Sequence, residues 1–207
     1  MHPNQAFRKE SEERNIAFLR DRAFGVLAVN ADTGPLVSHV PFLLSPDAGE
    51  AELHLVRSNP ILRMLAEPKN AILAVSGGDA YISPDWYWVA DQVPTWNYVA
   101  VHIRGELSIL DNSELDGVLR RLAADMENRL FPKKPWTSDK MTAEVYEKMK
   151  RQIVPVRLAI SEINGTWKLS QNKPDNVRIS AAEGVSQSGI GSETDKIEAL
   201  MRSADSQ

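Results

Sequence analysis

The sequence predicts a mainly β fold with helical insertions, an antiparallel barrel or sandwich rather than a doubly wound sheet. Short apolar runs rich in strand formers recur from Phe24 onward and are parted by turn residues. Helical periodicity is found at the two ends of the chain, in a short stretch after Asn59 and in one insertion near residues 112–152. At 207 residues the chain can bury a core without covalent staples.

The elements follow in order. Ser11–Arg22 predicts a short helix, because Ile16, Leu19 and Ala23 recur at spacings of three and four among charged neighbours. Phe24–Asn30 and Leu36–Phe42 predict a hairpin closed by Asp32-Thr-Gly-Pro35. Ala51–Arg57 is a third strand. Asn59 can cap a helix that has Pro60 in its first position. Asn70–Ser76 reads as a strand ended by Gly77-Gly78, and Ala80–Ser83 as a separate short one. The longest strand is expected within Val93–Leu110, with Gly105 marking a bulge.

Two helices should follow, at about 113–129 with Asn112 or Ser113 as cap, and at about 142–152. The first carries an apolar stripe of Leu115, Val118, Leu119, Leu122 and Met126. Val156–Ile163 is a return strand, and Asn164-Gly165 a hairpin signal leading into Thr166–Ser170. Residues 1–178 are therefore expected to form the barrel domain. Residues 179–207 are expected to form a loose Ala/Ser/Gly linker and a short helix near 194–202.

Composition excludes several chemistries. The chain has no cysteine, so disulfides, thiol nucleophiles and iron–sulfur clusters are out, and a cytoplasmic location is expected. The opening residues lack the apolar stretch of a secretory signal, and no apolar run reaches the ~20 residues of a membrane helix. The net charge of −4 does not supply the basic face with which proteins grip nucleic-acid phosphates. The four histidines, His2, His39, His54 and His102, have no metal-ligand spacing, so no metal site is expected. No nucleophile elbow, Rossmann fingerprint or phosphate loop is present.

Three clusters carry chemistry. In His54-Leu-Val-Arg-Ser-Asn-Pro60 a strand ends in Arg57, Ser58 and Asn59 at a helix start. This is either a phosphate cradle or a plain helix cap beside a solvated arginine. Pro94-Thr-Trp-Asn-Tyr-Val-Ala-Val-His102, after Trp86-Tyr-Trp88, sets flat aromatics beside an amide. That suits a planar heterocycle and equally an aromatic core. Lys168-Leu-Ser-Gln-Asn172 is rich in donors, fit for a phosphate or ring carbonyl, or simply a solvated edge strand.

Taken in this order, these strings resemble the PaiB family of FMN-binding split-barrel proteins, described as negative transcriptional regulators. The resemblance spans about Phe7 to Arg178. It rests on Ala80–Tyr87, Val93–His102 with Gly105, Lys168–Asn172, His54–Pro60, Phe24-Gly-Val-Leu27 and Ser38-His-Val-Pro41. His2-Pro3 with Phe7 is only a loose version of the family's aromatic opening, and the Ser/Gly-rich tail departs from it.

The resemblance implies a split β-barrel of the FMN-binding, pyridoxine phosphate oxidase-like type. It implies a homodimer with FMN in a groove at the subunit interface. Ser38, His39, Arg57, Ser58 and Asn59 would lie near the phosphate and ribityl chain, and Trp96 and Asn97 near the isoalloxazine. Lys168, Ser170 and Gln171 would come from the partner subunit or close the pocket.

The function implied is a flavin-binding negative regulator of transcription acting without a recognisable DNA-binding motif. The alternatives are an FMN-dependent oxidoreductase of flavin-reductase type, and a haem-binding split barrel using His39, His54 or His102. A fourth reading is a vestigial cofactor site on a dimer that works through protein contacts. No catalytic residue is singled out, because a flavin brings its own hydride chemistry.

Overall fold

In the computed structural model, which describes residues 2–204, the strands form an antiparallel sheet in the order β2-β1-β5-β6-β7-β4-β3, with β8 pairing β5. The elements are α1 (Glu12–Arg22), β1 (Phe24–Ala31), β2 (Gly34–Pro41), β3 (Leu43–Leu44), β4 (Glu50–Val56), α2 (Pro60–Met64), β5 (Lys69–Ile82), β6 (Thr95–Ile109), α3 (Leu115–Asn128), α4 (Ala143–Lys150), β7 (Ile153–Lys168), α5 (Asp175–Ser188), β8 (Gly191–Ser192) and α6 (Thr194–Ser203). No helix among the described residues is long and apolar enough to cross a membrane.

The chain groups into two compact units. The first comprises the described residues of Met1–Asn15, Val75–His102 and Asn164–Gln207, and the second comprises Ile16–Ala74 and Ile103–Ile163. In the second unit, β1 and β2 pair from Phe24↔Pro41 to Ala31↔Gly34. Their two-residue turn is closed by Gly34 at φ 112°, a conformation that favours glycine. Alternation buries Leu27 and Val29 with Leu53, Leu55, Leu73, Leu107, Val156 and Leu158.

Helix α3 adds Leu115 and Val118 to this core, but the expected stripe fades, and Met126 is 39% exposed. Its lead-in turn is capped by Asp111, whose Oδ1 accepts from the backbone N–H of Ser113, rather than by Asn112 or Ser113. The first unit buries Phe7, Val75, Ile82, Tyr87, Val99, Val101, Trp167, Leu169, Val185, Ile197 and Met201.

Two expectations from glycine are corrected by packing. Gly77-Gly78 does not end a strand: β5 runs unbroken through 14 residues. Asn164-Gly165 makes no hairpin: β7 is one strand of 16 residues. A Cβ at Gly165 would stand 2.0 Å from Oδ1 of Asn15, which accepts from the Trp167 indole N–H at 2.9 Å. The glycine therefore admits a helix side chain instead of turning the chain. Gly105 lies inside β6, where a Cβ would meet the Ala159 carbonyl oxygen at 2.0 Å.

The loose linker expected from residue 179 is also overturned. Residues 175–188 are helical, with Ala181, Ala182 and Val185 fully buried. Small residues here allow close helix packing; they do not signal disorder. The terminal helix is present as α6.

Candidate functional site

Each unit carries one polar or aromatic cluster. In the second unit, strand β4 ends at Val56 and the chain turns through Arg57 and Ser58 into α2. Asn59 caps that helix: its Oδ1 accepts from the Ile61 N–H at 3.0 Å, and Pro60 takes the first turn, where its missing N–H costs nothing. The other end of the same amide donates to Ser38 Oγ at 3.0 Å. Ser38 comes from β2, on the face it shares with Leu36 and Val40. His39, one residue on, falls on the opposite, exposed face.

The Arg57 side chain is held by backbone. Its Nε donates to the Arg151 carbonyl at 2.8 Å and its Nη2 to the Ile153 carbonyl at 3.1 Å. A guanidinium has five N–H donors, so the fork is oriented and still has donors to offer. Arg57 forms no ion pair among the described residues. An oriented, unneutralised guanidinium at the end of a strand fits the dianionic phosphate of a nucleotide ester.

In the first unit, strand alternation separates Trp96 from Asn97. Asn97, Val99 and Val101 are buried; Trp96, Tyr98, Ala100 and His102 face the other way. An open groove of about 270 Å³ lies on this unit, between residues 76–79 of β5 and Trp96, Tyr98, Val99 and Ala100 of β6. Gly77 and Gly78 form its floor, and Trp96 is 46% exposed at its wall. Tyr81 meets Trp96 edge-on, with ring centroids 6.1 Å apart. Flat aromatics around a glycine floor fit a planar heterocycle.

Behind this strand lies a buried hydrogen-bonded group. Ser170 Oγ accepts from Asn97 Nδ2 at 2.9 Å and bonds the Tyr87 hydroxyl at 2.9 Å. Ser170 is held at φ 62°, a conformation costly for a residue with a Cβ. Burial pushes the Tyr87 phenol above its ordinary pKa, and the Ser170 contact opposes this. Asn97 Oδ1 is buried without a hydrogen-bond partner among the described residues.

Gln171 is wholly engaged: Oε1 accepts from Leu169 N–H, and Nε2 donates to the carbonyls of Trp167 and Ala6. Lys168 is half-buried. Its Nζ donates to Thr95 Oγ1 and, at 2.6 Å, to the Trp96 carbonyl. Burial first, and then the nearby charge of Lys173, lowers its pKa. Among the described residues no group of His, Asp or Glu is placed to hold a metal ion.

A family model described as "Putative FMN-binding domain" matches residues 1–162. The chain belongs to this FMN-binding family. It is 28% identical over 185 residues to Protease synthase and sporulation protein PAI 2 of Bacillus subtilis, covering 88% of each chain. It is 34% identical over 107 residues to an uncharacterized protein of Saccharomyces cerevisiae, covering 47% of this chain and 63% of that one. The resemblance to PaiB read from the motifs is borne out.

Among solved structures, the FAD and heme binding protein of Mycobacterium smegmatis superposes with TM-score 0.58 at 19% identity, over 90% of this chain and 82% of the other. A flavocytochrome of Azotobacter vinelandii gives TM-score 0.58 at 15% identity, over 81% and 72%. These likenesses show the fold, the split-barrel type of flavin-binding proteins.

The structure thus brings Ser38 to Asn59, and Asn97 to Ser170, but sets His39 apart from Ser38 and Trp96 apart from Asn97. Sequence reading missed the glycine floor, Asp79 and Tyr81. The signal present was Gly77-Gly78 itself, since glycines inside a strand mark close approach as readily as a strand end.

Proposed function

We propose that the protein is an FMN-binding regulatory protein, with Arg57, Ser58, Ser38 and Asn59 receiving the phosphate end of a flavin and the Trp96 groove serving as a platform for a flavin ring. The single observation that carries this is Arg57: a surface guanidinium fixed by two backbone carbonyls and left without a carboxylate partner. Such a fork is pre-organised for a phosphate ester. When bound, FMN supplies electron and hydride transfer; the chain supplies grip and orientation. Of the three donors expected from the 168–171 segment, we assign ligand contact to Lys168. Ser170 and Gln171 act behind it, because their polar atoms serve Tyr87, Asn97 and the backbone.

We further propose a cytoplasmic homodimer. Strands β2 and β3 end the sheet order, and unpaired edges invite cover; Val37 on β2 is 55% exposed. Repression of transcription is proposed to run through an indirect route. The net charge is −4, and α3 spends Leu115 and Val118 on the core. A reductase role is a second reading, favoured by the openness of the groove, which leaves a bound ring reachable by a second substrate.

The test is titration of the full chain with FMN and riboflavin, followed by quenching of flavin fluorescence. FMN should bind more tightly than riboflavin, and Trp96→Ala should weaken both by about tenfold, the scale of one aromatic contact. Absence of binding to either flavin would overturn the reading. A tight, sequence-dependent gel shift by the pure protein at physiological salt would overturn the indirect route.

A further inference from the structure

The C-terminal helices lie beyond the 1–162 span of the family match, and within the first unit they reach the flavin-ring groove by two separate paths. The first begins at Gly184, inside α5. Alanine would favour the helix there by ~1 kcal/mol. A Cβ, however, would stand 2.4 Å from Cδ2 of Trp86, with two more indole atoms at 2.7 Å. The helix backbone therefore lies directly against that ring. Trp86 meets Tyr81 edge-on at 6.3 Å, and Tyr81 meets Trp96 edge-on at 6.1 Å. Three aromatic rings in series thus connect the helix to the groove wall.

The second path is backbone. Strand β8, which links α5 to α6, pairs with the edge of β5 at Asp79↔Ser192 and Ala80↔Gly191. Asp79 Oδ1 accepts from the Ser192 N–H at 3.2 Å. A Cβ on Gly78 would come within 2.9 Å of the Ser192 carbonyl oxygen and 3.1 Å of Ile197 Cγ1. Gly78 and Asp79 are groove residues, so the floor is packed against the C-terminal segment. Arg178, 2% exposed, fastens that segment to itself by donating to the Ala204 carbonyl at 2.5 Å and to Asp175 at 2.7 Å.

We propose that the α5–β8–α6 segment is a positioning element for the flavin ring, with Gly184 and Trp86 setting the stance of Trp96 from outside the groove. The inference rests on the reading that the groove takes the ring. Gly184 and Trp86 touch no ligand; they act through Tyr81 and Trp96. Residues 175–204 are thereby a determinant of ring affinity that the family-matched portion does not contain.

The experiment compares full-length wild type, Gly184→Ala and Trp86→Leu, each titrated with FMN and with lumiflavin, a ring lacking the ribityl phosphate. Sites per chain and melting temperature are recorded alongside. Both variants should raise the Kd for lumiflavin and for FMN by the same factor, about tenfold, with sites per chain unchanged. A purely structural role would instead lower the number of sites and leave the Kd of the remaining ones intact, and that result overturns the proposal. Should Gly184→Ala not fold, Trp86→Leu, which adds no bulk, decides alone: an unchanged lumiflavin Kd overturns the proposal. Wild type that binds neither flavin removes the underlying reading and the inference with it. Wild type that binds both, beside variants that bind equally well, removes the inference only.

Discussion

Replacing Arg57 by alanine separates the phosphate end of the ligand from the rest. Two of the five guanidinium donors are committed to the carbonyls of Arg151 and Ile153. Those carbonyls sit with an exposed side chain, so water replaces the lost donors and the stability cost should stay near ~1 kcal/mol. The remaining donors are the ones proposed to meet the phosphate. One charge-assisted hydrogen bond contributes about 1.5–3 kcal/mol, which corresponds to a roughly 10- to 150-fold rise in Kd. Riboflavin lacks the phosphate, so its affinity should not change. Arg57→Lys keeps the charge but loses the fork, and should fall between wild type and alanine. The assay is fluorescence titration of both flavins, with urea unfolding as the control for stability. An FMN affinity within twofold of wild type, or an equal loss for riboflavin, refutes the assignment of Arg57 to the phosphate.

Other outcomes follow from burial. Ser170→Ala strands the Tyr87 hydroxyl and the Asn97 amide, which are 2% and 0% exposed, and should cost about 2–4 kcal/mol in urea unfolding at one or two orphaned groups. Gly105→Ala drives a Cβ to 2.0 Å from the Ala159 carbonyl, backbone that cannot swing aside, and should cost at least ~2 kcal/mol with a lowered melting temperature. Burial lowers the His54 pKa below its ordinary 6.5. As pH falls through that value the unfolded chain takes up a proton that the folded chain resists, so stability should decline on the acid side. His54→Gln should flatten that part of the profile, and an unchanged profile would show that His54 does not cause it.

The sequence by itself determined the class of the fold, the β1–β2 hairpin, the capped turn at Asn59-Pro60 and the family. These are local facts: alternation, turn chemistry and cap residues act over a few neighbours, and the signature strings lie along single strands. Only tertiary structure decided what each side chain does. His39 and Trp96 were read beside Ser38 and Asn97, yet neighbours in a strand point to opposite faces, and the sheet chose which face was buried. Gly77-Gly78, Asn164-Gly165 and the small residues of 181–184 carry the sequence marks of turns and linkers. In the fold they are places where Ser192, Asn15 and Trp86 press against backbone. A missing Cβ frees the chain to bend and equally makes room for a neighbour. Which of the two a glycine serves depends on atoms distant in sequence, and those are placed only when the sheet and helices pack.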